Sequence, residues 1–103
     1  MKLMEKLFEM IDDEMEGAER YAKCAIAYKE EQPALAKAFL DISGVELGHA
    51  NTLHNEAVKQ IEENRKKHGA VSLEVKALYD FLHRQQIKRM HGVRMLHEEF
   101  KGN

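Results

Sequence analysis

Proline occurs once in the 103 residues, at Pro33, and on both sides of it apolar side chains recur at alternating steps of four and three. That alternation keeps one stripe of side chains on one side of an α-helix, and proline is well tolerated only in a helix's first turn. The chain therefore reads as all-α. A first helix is predicted over 2–30, a turn at Glu31-Gln32-Pro33, and a second helix over 33–67. The first stripe is Met4, Leu7, Ile11, Glu14, Ala18, Tyr21, Ala25 and Tyr28; the second is Leu35, Phe39, Ile42, Glu46, His49, Leu53 and Glu56. So short a connection makes the two helices an antiparallel hairpin. Gly17, Ala18, Ala22 and Ala25 are small enough to let a neighbour approach closely. Gly69 reads as a C-cap behind Lys66, Lys67 and His68, and Ser72 as the N-cap of a third long helix over 73–100. Its stripe is Val75, Leu78, Leu82, Gln86, Met90, Val93, Leu96 and Phe100. A chain of this length makes one domain, 1–103.

Polar residues interrupt the stripes where leucine or isoleucine is expected. Glu14 does so on the first helix. Glu46 and His49 do so on the second, three residues apart and hence on one face. A buried, unpaired carboxylate costs on the order of several kcal/mol, so its presence needs a cause. Glu14 lies about 17 residues before the turn and Glu46 about 15 after it, which brings them level to within one helical turn. Two causes are open: ligation of a metal, or a hydrogen-bonded polar layer that fixes helix register. Carboxylate-bridged di-iron bundles take one Glu from each of two helices and Glu-x-x-His from each of two others. The hairpin 1–67 supplies half of that set, and the third helix has no Glu-x-x-His on its stripe. A two-fold homodimer would complete the four-helix bundle, with two copies each of Glu14, Glu46 and His49. Mixed carboxylate and imidazole donors suit iron or manganese, with zinc as an adventitious substitute.

The stretch Asp13-Glu14-Met15-Glu16-Gly17-Ala18-Glu19-Arg20-Tyr21, followed by Glu46-Leu47-Gly48-His49-Ala50, resembles the ferritin-like superfamily. Within it the hairpin 1–67 looks most like the short rubrerythrin-type and encapsulated-ferritin members. The resemblance implies that Glu14 is the first-helix ligand, Glu46 the bridging carboxylate and His49 the terminal imidazole. It implies further that Tyr21 supports the ligands without binding metal, and that Asp13 and Glu16 form a metal uptake site. The implied activity is oxidation of Fe(II) by dioxygen or peroxide at a di-iron centre in a homodimer or higher homo-oligomer. Two departures stand out. Encapsulated ferritins of this kind usually end in an apolar peptide that docks to an encapsulin shell, and His97-Glu98-Glu99-Phe100-Lys101-Gly102-Asn103 carries no such motif. The long third helix also differs, and His83 and Gln86 match no family role.

Other features narrow the function classes. Residues 1–31 carry 9 acidic and 5 basic side chains, and residues 65–103 carry 9 basic and 4 acidic. The basic residues are interleaved with stripe positions and accompanied by no nucleic-acid motif, so they read as a solvated face able to pair with the acidic first helix. Asp12, Asp13, Glu16 and Glu19 read first as exposed charge. No apolar run suits a bilayer, no signal peptide is recognisable, and the single cysteine, Cys24, permits no internal disulfide; a cytoplasmic protein is expected. The six methionines read as bundle filler. His54 is expected to be exposed and His68 to complement a helix terminus. Among His83, His91 and His97, His83 is the best placed for a further role, because Tyr79, Gln86 and Met90 share its side of the helix. Two rivals to an iron oxidase remain. One is a non-catalytic helical interaction protein with a buried polar layer. The other is a rubrerythrin-like peroxidase, which would need an outside electron donor because no rubredoxin-type cysteine pairs occur.

Overall fold

The computed structural model describes residues 2–69 and 73–102. It comprises α1 (Lys2–Tyr28), α2 (Pro33–His68) and α3 (Leu73–Phe100), with no strand among the described residues. The boundaries follow from local chemistry. The Gln32 N–H donates to the Tyr28 carbonyl at 2.9 Å, closing the end of α1, and Pro33 opens α2 at a position that needs no N–H. α2 ends on Arg65, Lys66, Lys67 and His68, whose charges complement the helix dipole. Gly69 then turns the chain at φ 76°, a left-handed conformation that costs glycine little. The N-cap expected at Ser72 and the stripe side chain expected at Val75 lie outside what is described. At 1.5 Å per residue α2 alone is about 54 Å long, matching the 56 Å long axis of the molecule. No helix among the described residues is long and apolar enough to cross a membrane.

α1 and α2 form the predicted hairpin, but the buried stripe on α2 differs from the expected one. Ala36, Ser43, Leu47, Ala50, His54 and Ala57 are buried, whereas Leu35 and Ile42 remain exposed. On α1 the buried set is Met4, Phe8, Ile11, Met15, Ala18, Ala22 and Ala25. Small side chains explain the choice. Helices can approach closely only where alanine and serine face alanine, which turns the bulkier neighbouring stripe outward. The hairpin consequently has two apolar faces. One contains the residues just named. The other runs through Glu14, Tyr21 and Tyr28 on α1 and Phe39, Ile42, Glu46 and His49 on α2, while Leu7 and Leu53 of the predicted stripes pack against the core.

α3 covers the first face and packs mainly against α1. Met90 and Val93 join Ile11, Met15, Ala18, Leu47 and Ala50 in one core cluster. Phe8 stacks on Tyr79 at 5.6 Å between ring centroids, beside Met4 and Ala57. Contacts near both N-termini and both C-termini show that α3 runs parallel to α1. At the far end the Lys29 ammonium donates to the Phe100 carbonyl and lies 5.0 Å from the Phe100 ring centroid, which satisfies a terminal carbonyl of α3. Arg89 lies 3.9 Å from Asp12 and 3.8 Å from Glu19, the predicted pairing of basic and acidic helices. These pairs are solvent-exposed and contribute about 0–1 kcal/mol each, so burial of Met90 and Val93 holds α3 in place.

Candidate metal centre

Glu14 and His49 meet on the face that α3 leaves open. His49 Nδ1 lies 3.5 Å from Glu14 Oε2; the imidazole is 59% exposed and the carboxylate 30%. Glu46 precedes His49 by one turn of α2, and Gly17 follows Glu14 by one turn of α1, so the antiparallel hairpin sets Glu46 against Gly17. The approach is close: a Cβ on residue 17 would stand 1.8 Å from Glu46 Oε2. Glycine is thus required for the carboxylate to lie where it does. Within that notch Glu46 Oε2 is buried and has no hydrogen-bond partner. A buried acceptor left without a donor costs about 1–3 kcal/mol.

Tyr21, seven residues beyond Glu14, packs its ring on Phe39 at 6.0 Å between centroids. Asp13 is exposed. Glu16 is engaged by Arg20 at 3.3 Å on an exposed flank and lies about 200° around the helix from Glu14. Among the described residues, no group of three or more His, Cys, Asp or Glu side chains lies close enough to hold a metal ion. One chain therefore presents a carboxylate–imidazole pair and, a turn away, an orphaned carboxylate oxygen. These donors fit half of a dinuclear carboxylate site, and completing it would take a second set.

Comparison with known proteins finds no matching family model, no matching curated protein and no matching solved structure.

Other polar residues emerge that the stripe pattern does not reveal. Ser43 is fully buried, and its hydroxyl donates to the Ala18 carbonyl at 2.5 Å. Having one proton, it must accept from His97 Nε2 at 2.8 Å, which places the His97 proton on that nitrogen. His54, expected to be exposed, is instead 8% exposed, its ring 4.3 Å from that of His83 between centroids. The correction has a simple origin: His54 continues the Ser43-Leu47-Ala50 stripe, which the hairpin buries. The signal was present in that spacing.

Burial, and then the neighbouring His83, hold the His54 pKa below its ordinary 6.5, against the opposing side-chain hydrogen bond with Gln86. Burial and then Lys101 do the same to His97, with Glu98 opposing. The sign of the pH effect follows. Well above pH 6.5 both groups are neutral, folded or unfolded. As pH falls through 6.5 the unfolded chain takes up protons first, so stability is lost until the lower folded pKa values are passed. Denaturation midpoints are expected to be lower at pH 5 than at pH 7.5, and replacing His97 by glutamine should flatten that slope. An unchanged midpoint across this range would contradict the assignment.

Proposed function

We propose that this chain is a ferritin-like di-iron carboxylate protein that oxidises Fe(II), with its site shared across a two-fold homodimer. The observation that carries the reading is the buried, partnerless Glu46 Oε2, held in the Gly17 notch one turn from the Glu14–His49 pair. A sequence that spends a mid-helix glycine to admit an unsatisfied carboxylate has a use for that oxygen. The same face supports the dimer. Leu3, Met10, Tyr28, Leu35 and Ile42 are exposed large apolar side chains on or beside it. Laid against a second hairpin, this face would bury them and bring two sets of Glu14, Glu46 and His49 to one level.

In this reading Glu14, Glu46 and His49 would hold the metal, and Tyr21, packed on Phe39, would support the ligands without binding it. The bound pair of ions would supply the redox chemistry, with Fe(II) as substrate and dioxygen or peroxide as oxidant. The hard carboxylates favour the oxidised metal. Manganese and zinc are expected to compete for the same donors. The resemblance of 13–21 and 46–50 to encapsulated ferritins rests on these same residues and leaves a shell partner unassigned.

The test is aerobic Fe(II) titration of the purified protein, followed in the near ultraviolet, with mass measured in parallel by sedimentation. A dimer that oxidises iron well above background, and loses this with Glu46→Ala or His49→Ala, is the expected result. A wild-type rate equal to background, or a Glu46→Ala rate equal to wild type, would favour the non-catalytic interaction protein.

A further inference from the structure

On the opposite side of the hairpin a second set of donors meets, with no carboxylate among them. His54 comes from α2 and His83 from α3, their ring planes inclined at 45° with centroids 4.3 Å apart. Gln86 follows His83 by one turn of α3. It is 3% exposed, and its buried Oε1 lies beside the His54 ring, toward which it acts as a hydrogen-bond acceptor. Elsewhere α2 and α3 touch little, since α3 rests chiefly on α1. Two imidazoles and a buried amide oxygen thus sit where the third helix most needs a tie to the second.

We propose that His54, His83 and Gln86 form a binding site for one imidazole-preferring transition-metal ion (zinc, copper or nickel as M²⁺) that clamps α3 to α2. Geometry supports it. With metal–nitrogen bonds of about 2.0–2.1 Å, two imidazoles on one tetrahedral ion have ring centroids roughly 5 Å apart. The observed 4.3 Å is reached from there by small side-chain rotations. The chemistry agrees as well. Neutral nitrogen donors with a single amide oxygen suit borderline ions, whereas Fe(III), Mg²⁺ and Ca²⁺ require the charged oxygens that this cluster lacks. Gln86 also lines an open groove with Asp12, Leu82 and Arg89, at the edge of the cluster. Occupancy stabilises the folded chain, since the unfolded chain offers no preformed set of donors.

This site stands apart from the Glu14–Glu46–His49 cluster and does not depend on it. The test is calorimetric titration of metal-free, full-length protein with ZnCl₂ and separately with NiCl₂, alongside thermal melts. Wild type is expected to bind Zn²⁺ in a phase that persists in the Glu46→Ala/His49→Ala double variant and raises the melting temperature of both. His83→Gln, at a half-buried position, should weaken that phase by at least about tenfold, because even losing a ligand's hydrogen-bond support costs 10–100-fold. NMR gives a second readout that does not depend on a variant folding: whatever it does at His49, sub-stoichiometric Ni²⁺ should broaden the His54 and His83 ring signals before those of His68, His91 and His97. The proposal is overturned if wild type takes up no Zn²⁺, if His83→Gln binds as wild type does, or if the Ni²⁺ broadening of His68, His91 or His97 precedes that of His54 and His83.

Discussion

Glu46→Leu is expected to raise the stability of the metal-free protein by about 1–3 kcal/mol and to reduce Fe(II) oxidation to the background rate. The gain arises because Glu46 Oε2 is buried without a donor, and leucine fills much of the same space with no polar atom to strand. Gly17→Ala tests the same contact from the other helix. Alanine in a helix interior is favoured over glycine by about 1 kcal/mol. Its Cβ would nevertheless stand 1.8 Å from Glu46 Oε2. That oxygen is the far end of a flexible side chain, so the carboxylate swings into water and the helix keeps the propensity gain. Both variants should therefore be more stable in urea with chelator present, and both should lose iron-dependent activity. Their gains should not add, because they act on one contact. Destabilisation by Glu46→Leu would show that the carboxylate is held within the fold for structural reasons. Two unfavourable local choices at one contact are the pattern expected where function outweighs stability.

The hairpin, the turn at Pro33 and the long third helix were legible in the sequence because each depends on local chemistry: a four-three period, one proline, a C-cap glycine after a basic turn. The site was legible in part. Glu14, Glu46 and His49 stand out as polar residues in a bulky apolar register, and the fold brings Glu14 and His49 into contact. What the pattern could not decide is which of two overlapping registers faces inward. On α2, Leu35-Phe39-Ile42-Glu46-His49-Leu53-Glu56 and Ala36-Leu40-Ser43-Leu47-Ala50-His54-Ala57 lie one residue apart with the same spacing. Hydrophobicity favours the first, while the close approach permitted by alanine favours the second. That competition placed His54 in solvent when it is buried. It also hid the Gly17 notch and the Ser43–His97 link, which exist only once residues from different helices are juxtaposed. The position of α3 was unreadable for a related reason: its stripe says that it packs but not on which face.

Ile11→Ala is expected to cost about 2–5 kcal/mol, the range for removing a buried branched side chain whose surroundings close only partly around the cavity. Ile11 has no exposed surface and packs where all three helices meet, among Met15, Ala18, Leu47, Met90 and Val93. Against a total of about 5–15 kcal/mol for a domain this size, such a loss is large. Ile11→Val, which leaves most of the volume filled, should cost only about 0.5–1.5 kcal/mol. Ile42 makes the informative contrast. It is 40% exposed within one chain, on the face proposed to join two hairpins. Truncation there should change monomer stability by less than about 0.5 kcal/mol. If that face is an interface, its effect must instead grow with protein concentration, because dimerisation stabilises by mass action. Denaturation midpoints measured at two concentrations separate the cases: Ile11→Ala should lower both by the same amount, and Ile42→Ala should lower chiefly the one at high concentration. Equal, negligible shifts for Ile42→Ala would remove the apolar face as an argument for the dimer and leave the orphaned Glu46 oxygen as its remaining support.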